Sequence, residues 1–305
     1  MTKIFMIIKC FSKLAFIVAI SAVLPLKACS KDPILAVESI GIITMATNSS
    51  QVDISIKLKE DSDNFGNLTI DWGDGEKSKI TDATSYGKSG TLEFSRNYSN
   101  TSRKHITISG DNIELLYCNN NQLTALDVSR NTTLTYLDCS NNQLTVLDVS
   151  LNKELKELRC SKNQLTSLDV SRNTKLTGLY CSNNQLSDLD VSLLNTTLIY
   201  LYCYNNQLSA LDVSQNTALT DIDVCNNQIK NLDFSKNTAL HLLCCKQNPL
   251  TASALNDMFG TLCYIPETIW SAIDIGLLPS ESDCDFSIAL KKGWVFGPIH
   301  GSRSL

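Results

Sequence analysis

Tyrosine and cysteine are the residue types in this sequence whose spacing could do chemistry. Six of the nine tyrosines fall between Tyr117 and Tyr204, and six of the twelve cysteines recur every 21 or 22 residues or multiples of this. Tyrosine offers a rigid apolar ring with a polar tip, which suits binding surfaces. Cysteine could ligate a metal, form disulfides or be buried as a small apolar residue. The elements that hold these side chains decide which chemistry applies.

Composition gives little support to catalysis or nucleic-acid binding. The 305 residues carry 26 basic against 31 acidic groups, a formal net charge of −5, so a basic surface for nucleic acid is not expected. The three histidines, His105, His241 and His300, are too scattered to suggest one site. We therefore expect no enzyme activity, no metal and no cofactor.

From Ile113 onward the chain repeats the pattern L-x-x-L-x-C-x-x-N-x-L with a period of 21 residues, and an insertion near Asn195 makes one step 22. The alternating Leu and Cys positions supply the buried face of one strand per repeat. No single coil can bury this face alone, so stacked coils must share a core and form a parallel sheet. The pattern predicts a solenoid of about seven coils over residues 111–250. Its two asparagine columns are expected to satisfy backbone groups at the turns.

Stacking also constrains the cysteines and aspartates. Stacked thiols run parallel rather than converging as zinc ligands do, and their Cβ atoms stand too far apart for disulfides. We expect buried free thiols in this column, with Cys263 and Cys284 outside it as the best disulfide candidates. An aspartate column must offset its own repulsion by local hydrogen bonds, which we favour, or by bound cations. Its members are Asp127, Asp148, Asp169, Asp190, Asp212 and Asp233.

The repeat resembles the leucine-rich repeat, and the cysteine column is similar to the ladder of some internalin-type proteins. The resemblance implies a protein that binds protein or glycan ligands through exposed positions of its sheet. The candidate residues at those positions are Tyr136, Tyr180, Tyr200, Tyr202, Tyr204, Arg159, Asp221 and Asp223. We expect Tyr180, Tyr200, Tyr202 and Tyr204 to touch across two adjacent coils. The alternative is that tyrosine only suits an exposed strand position.

Residues 1–28 are typical of a signal peptide. Basic residues precede an uncharged run at 14–26 that is too short to span a membrane as a mature helix. Leu26-Lys27-Ala28-Cys29 resembles a bacterial lipobox, which implies a lipid on Cys29; ordinary cleavage after Ala28 is the alternative. Residues 29–39 then resemble the tether of Bacteroides-type lipoproteins. We expect a location in the bacterial cell envelope, in the outer membrane and possibly exposed at the surface.

Two smaller regions flank the repeats. Short alternating runs over residues 40–110 predict a small antiparallel β-sandwich, and its Trp72-Gly73-Asp74-Gly75 resembles the WGDG signature of PKD-like domains. Asp71 and Asp74 could hold Ca²⁺ or only shape the turn, and we favour the turn. Residues 251–305 predict an α/β cap, with helices over 251–262 and 283–289 and a strand over 268–275.

The sequence thus predicts a mainly β protein with a small α content. The predicted function is that of a surface lipoprotein that binds extracellular protein through its sheet face. Glycan binding by the same face, and a structural scaffold without an outside ligand, are the alternatives.

Overall fold

The computed structural model describes residues 41–59, 68–80, 90–110, 112–276 and 283–298. The predicted signal segment, the lipidated Cys29 and the tether lie outside these ranges. Residues 39–305 form one compact unit. In the described part of the chain, no helix has the length and hydropathy needed to cross a bilayer.

Six strands in residues 41–110 make a small antiparallel sandwich. They are β1 (Gly41–Thr47), β2 (Gln51–Leu58), β3 (Leu68–Asp71), β4 (Lys77–Ile80), β5 (Leu92–Asn97) and β6 (Lys104–Gly110). One sheet has the order β4-β3-β6-β1, and β2 pairs with β5 in the other. Alternation along the strands buries Val52, Ile54 and Ile106 in a common core. The structure has the sandwich that the alternating runs predict.

The repeats form a parallel sheet with one short strand per coil. The strands are β7 (Ile113–Tyr117), β9 (Tyr136–Asp138), β10 (Glu157–Arg159), β11 (Gly178–Tyr180), β12 (Tyr200–Tyr202), β13 (Asp221–Asp223) and β14 (Leu242–Cys244). Each pairs with the next in unbroken register, and the Leu or Ile that is central in β9 to β14, in register with Leu116 of β7, is buried in every strand. The predicted leucine-rich solenoid is confirmed.

The sandwich closes the N-terminal end of the solenoid. Strand β7 pairs on its outer edge with β2, and β8 (Leu123–Asp127), from the return side of the first coil, pairs with β1. Both sheets therefore contain strands from the sandwich and from the first coil. The amide of Asn121 bonds the backbone of Asp53, in the way that later asparagines bond the preceding coil. An open first coil would leave such polar groups and its apolar core uncovered.

The cysteine ladder lies in the core as expected. Its thiols are free and buried; they belong to Cys118, Cys139, Cys160, Cys181, Cys203 and Cys245. Burial raises the pKa of these thiols, that of Cys181 to about 12, and so keeps them protonated. Because the thiolate is the reactive form, the ladder acts as packing.

One asparagine column joins each coil to its predecessor. Asn163 accepts the Leu144 N–H through Oδ1 at 3.0 Å and donates from Nδ2 to the carbonyls of Cys139 and Cys160, at 3.0 and 3.1 Å. In the second column, Asn152 donates from Nδ2 to the preceding coil, while its Oδ1 has no partner among the described residues. From Asn152 to Asn237 the second column therefore satisfies carbonyls only, whereas Oδ1 of Asn131 in the first coil accepts the Thr133 hydroxyl.

The aspartate column is stabilised locally. Oδ1 of each of the six aspartates accepts the backbone N–H of the serine two residues later, at 2.8 to 2.9 Å. This bond holds the pKa of Asp148, for example, below its ordinary value. The favoured interpretation, hydrogen bonds rather than cations, accounts for the column.

An α/β cap follows the last coil. Helix α1 (Ala252–Thr261) begins after Thr251, whose Oγ1 accepts the Ala254 N–H at 3.2 Å. Strand β15 (Ala272–Asp274) extends the parallel sheet beyond β14, and α2 (Ser287–Leu290) packs near α1. The strand is shorter than the predicted 268–275 because residues 268–270 are exposed. Both predicted helices are present, with α2 beginning later than residue 283.

Candidate functional site

The sheet face is the outward surface of strands β7 and β9 to β14. In each three-residue strand the central side chain points into the core, so the two flanking side chains point outward. Packing fixes the inward residue in every coil but leaves the outward ones free to vary. The sheet face is therefore where the coils differ from one another.

Five outward side chains from five successive coils stack along this face. We call them the aromatic strip: Tyr117, Tyr136, Arg159, Tyr180 and Tyr202. The rings of Tyr117 and Tyr136 have centroids 4.7 Å apart. The Arg159 guanidinium carbon lies 5.7 Å from the Tyr136 centroid and 4.6 Å from that of Tyr180. The rings of Tyr180 and Tyr202 stack at 5.2 Å with an interplanar angle of 7°.

Tyr180 is covered on both faces of its ring. Strand register places Arg159 on one side of it and Tyr202 on the other. Burial raises the pKa of the Tyr180 phenol to about 12, so it stays a hydrogen-bond donor at neutral pH. Only the ring edge and the hydroxyl are left for a partner.

Gly178 makes room for this arrangement. A Cβ on Gly178 would lie 2.9 Å from Cε2 of Tyr180, because the tyrosine ring leans across the glycine. The residues in register with Gly178 on either side are Glu157 and Tyr200, which have full side chains. Glycine at this position therefore leaves the space that the Tyr180 ring occupies.

The charge of Arg159 is compensated within its own strand. Its Nη2 lies 2.5 Å and its Nε 2.6 Å from Oε1 of Glu157. Burial lowers the pKa of the guanidinium, but the hydrogen bond to Glu157 and the electrostatic effects of Glu157, Tyr136 and Tyr180 together raise it more, so the pKa lies above its ordinary value. The strip is a rigid surface with paired charge, suited to contacts that exclude water.

The sequence prediction for the tyrosines is confirmed only in part. Tyr180 and Tyr202 touch, whereas Tyr200 and Tyr204 make no ring contact with another aromatic residue in the described chain. Tyr200 is 40% exposed and is available to a partner. Tyr117 belongs to the strip although it was not among the candidates; its outward position in the first repeat was the available signal.

Asp221 and Asp223 are more enclosed than the sequence implied. Asp221 is buried, and its Oδ2 accepts a 2.5 Å hydrogen bond from Oγ1 of Thr220. Burial raises the pKa of the Asp223 carboxyl to about 6; the backbone N–H of Cys225 and the charge of Lys246 oppose this shift. The expectation of two exposed charges flanking the tyrosines is wrong for Asp221 and only partly right for Asp223.

A disulfide on the sheet face joins the last two coils. It links Cys225 to Cys244, whose Cα atoms are 5.7 Å apart. The expected pair, Cys263 and Cys284, is not bonded; the Cys263 thiol lies 3.3 Å from the carbonyl of Leu240. The 19-residue separation could have revealed the bonded pair, because it is two less than the period and so makes them diagonal neighbours on adjacent coils.

Two groups of residues could in principle hold a metal. Ligand atoms of Asp223, Cys225 and Cys244 lie within 4.8 Å of one another, but both sulfurs are used by the disulfide. In the WGDG turn, Asp71 accepts the Gly73 N–H and pairs with Lys77, while Asp74 accepts the Glu76 N–H and pairs with Arg96. These bonds fit the turn-shaping role that we favour for the two carboxylates.

The histidines remain apart. His105 lies on β6 in the sandwich and His241 in the last coil, 4.0 Å from Asp221; His300 lies outside the described residues. The structure does not bring the two described histidines into one catalytic group.

Comparison with known proteins agrees with this geometry. Residues 153–195 match the family model for leucine-rich repeats, in two copies. The functional domain of InlJ from Listeria monocytogenes, whose structure includes a cysteine ladder, is 39% identical to this chain with a TM-score of 0.51. The similarity covers 59% of this chain and only 38% of that one.

Two further solved structures are less similar to this chain. A leucine-rich-repeat protein of Leptospira interrogans is 22% identical, with 52% and 50% of the two chains covered and a TM-score of 0.42. An internalin of L. monocytogenes is 20% identical, with 61% and 62% covered and a TM-score of 0.44. No curated protein sequence matches the chain. Neither the family model nor these structures indicate a catalytic family, and the repeat region is a leucine-rich-repeat solenoid with a cysteine ladder.

Proposed function

We propose that this chain is a recognition protein that binds a protein partner through its sheet face. The observation that carries the proposal is the aromatic strip, an arginine and four tyrosines stacked without a break over five coils. At about 4.8 Å per strand the strip extends for about 20 Å, which is the scale of a protein epitope. Tyrosine and arginine are also the residue types enriched where binding energy concentrates.

The stacking geometry favours a protein over a glycan at this face. A sugar ring binds an aromatic residue by lying flat against its face. Arg159 and Tyr202 already cover both faces of Tyr180, and Tyr117 covers part of Tyr136. Ring edges and hydroxyls are left exposed, and these suit the side chains and backbone groups of a protein.

Rigidity supports the same conclusion. Each ring in the strip is held by its neighbours, so little side-chain freedom is lost when a partner binds. Arg159 and Tyr202 hold the ring of Tyr180 between them, and Glu157 holds Arg159. A surface that is ordered before binding keeps more of its contact energy as affinity.

The proposed setting is the outside of a bacterial cell. The signal-like segment and the lipobox-like sequence ending at Cys29 would tie the chain to the envelope through a lipid, in the outer membrane. Cleavage after Ala28 without acylation would release the protein instead, and mass spectrometry of the protein from membranes distinguishes the two.

A binding screen tests the function. Residues 30–305 are presented to arrays of extracellular proteins and of glycans, beside a variant with Tyr180, Tyr200, Tyr202 and Tyr204 changed to Ala. The matched control is Tyr264→Ala, which removes a 76% exposed tyrosine from the cap, outside the sheet face. Circular dichroism verifies that all three proteins are folded.

The expected result is a protein ligand that the four-tyrosine variant loses and the Tyr264→Ala control retains. A ligand that the four-tyrosine variant retains would place recognition elsewhere. Glycan hits alone would favour the alternative ligand class. Self-association without any hit, measured by sedimentation velocity, would favour a structural scaffold.

A further inference from the structure

A polar pocket in the sandwich has no part in the sheet face. It has a volume of about 540 Å³ and lies between the WGDG turn and the turn that joins β5 to β6. Its wall includes Asp74, Arg96, Tyr98, Asn100, Arg103 and Lys104. The volume is within the range of about 300–1,000 Å³ that is usual for small-ligand sites.

Positive charge is in excess in this pocket. The single carboxylate, Asp74, is already committed to Arg96, with Nη2 and Nε at 2.7 and 2.8 Å from Oδ2. Arg103 is exposed and forms no ion pair with any described residue. Lys104 likewise has no carboxylate partner in the described part of the chain. Two cationic side chains are left uncompensated.

Lys104 is the unusual member, because its side chain is buried. It is 7% exposed, and its Nζ donates to the side-chain oxygen of Asn100 at 2.8 Å and to the carbonyl and hydroxyl of Ser102. The ammonium also lies 5.2 Å from the ring centroid of Tyr98. All of these partners are neutral, so they satisfy its hydrogens without cancelling its charge.

Hydrogen bonds within the sandwich hold the residues around Lys104 in place. The Tyr98 hydroxyl donates to the carbonyl of Trp72 at 2.9 Å. Trp72 is buried beside the turn, and its Nε1 donates to the hydroxyl of Ser78. The Asp74 to Arg96 pair joins the turn to β5 across the pocket. The uncompensated charge therefore stands at the base of a fixed cavity and attracts an anion there.

From this geometry we infer that the pocket binds a sugar acid, through one carboxylate or sulfate group. The anionic group would sit between Arg103 and Lys104. The remaining lining is neutral and hydrogen-bonding, with the amide of Asn97, the amide NH₂ of Asn100 and the hydroxyl of Ser99. Such groups match the hydroxyls of a sugar, whereas a ligand with several phosphates would require more cations than two.

Saturation-transfer NMR on residues 30–305 tests the inference at low salt. The probes are glucuronic acid and N-acetylglucosamine 6-sulfate, each against its neutral counterpart, glucose or N-acetylglucosamine. Inorganic sulfate is added as a competitor to separate recognition of a sugar from simple attraction of an anion. Arg103→Ala is the main variant because this side chain is exposed and its loss leaves the core intact. Lys79→Ala, an exposed cation on β4 outside the pocket, is the matched control.

The expected result is binding of at least one acidic sugar and neither neutral one. Arg103→Ala should weaken it about tenfold, the effect of one charge-assisted hydrogen bond, and Lys79→Ala should leave it unchanged. Absence of binding, equal binding of the neutral sugars, or equally tight binding of inorganic sulfate would each overturn the inference. Lys104→Met, checked for an unchanged melting temperature, should abolish binding; retained binding would contradict the role of the buried cation. Failure here leaves the protein partner of the sheet face untouched.

Discussion

The interior of the solenoid and its sheet face are formed by alternating residues of the same strands. The inward residues are the same from coil to coil, whereas the outward residues differ. Inside, each coil repeats the same leucines, cysteine and asparagine, because every coil must present the same shape and the same hydrogen bonds to the next. Outside, glutamate, glycine and tyrosine stand in register on β10, β11 and β12, respectively. Stability is thus distributed evenly along the core, whereas binding chemistry is concentrated on the face.

The sharpest contrast is between two adjacent residues of β10. Leu158 is fully buried, so Leu158→Ala should lower the free energy of unfolding by about 4 kcal/mol through lost burial and a cavity. Arg159→Ala, one residue later, should cost less, about 1 to 2 kcal/mol, because it loses a partly exposed ion pair and two ring contacts but leaves no cavity in the core. Urea unfolding measures both, and equal losses would show that the face also carries the fold.

The disulfide tests whether the face contributes to stability in any coil. Cys225→Ser with Cys244→Ser frees a loop of about 20 residues and should cost about 3 kcal/mol, mainly at the C-terminal end. Hydrogen exchange resolved by peptide measures where protection is lost. The matched control is Cys160→Ser in the ladder. It removes no bond but buries a hydroxyl, so protection should fall in the middle coils instead.

The raised pKa of Asp223 predicts that the stability of the fold falls as pH rises. A carboxylate in an ordinary ion pair has the opposite effect. Because the pKa of Asp223 in the folded protein, about 6, lies above the unfolded value, its ionisation destabilises the fold as pH rises from about 4 to above 6. Asp223→Asn should therefore increase the free energy of unfolding at pH 7.5 by at most about 3 kcal/mol, which raises the melting temperature. At pH 4 the same variant should change the melting temperature little. A variant that is less stable at pH 7.5 would mean that the carboxylate is needed in its charged form.

The aspartate column should give the smallest effect. Since serine N–H groups already bind these carboxylates, EDTA should leave the melting temperature unchanged in calcium-containing buffer. Differential scanning fluorimetry measures it. A clear fall with chelator would show that cations hold the column together after all.

The same contrast explains how far the sequence could predict the structure. The solenoid, the buried thiols and the aspartate bonds follow from a repeated pattern, because repetition leaves one solution for the core. The sequence did not predict that β2 would continue the parallel sheet of the solenoid or that β1 would pair with β8, since pairing at a domain edge leaves no periodic signal.

On the face, sequence reasoning located the surface but not its contacts. The repeat spacing places Tyr180 beside Tyr202. The tilt of the Tyr180 ring over Gly178 and the position of Arg159 between two rings depend on side-chain rotamers, which the spacing does not determine. The surroundings of Asp223 include Lys246 of the last coil and Asp274 of the cap, and no repeat specifies the position of Asp274.

Photocrosslinking tests the central claim most directly. A benzoylphenylalanine is placed at Tyr200, on the sheet face, or at Val146, which is 74% exposed on the return side of another coil. Each protein is irradiated with the partner found in the binding screen. We predict a crosslink from position 200 and none from position 146. A crosslink from position 146 alone would show that the partner binds the return side and that the aromatic strip is not the recognition surface.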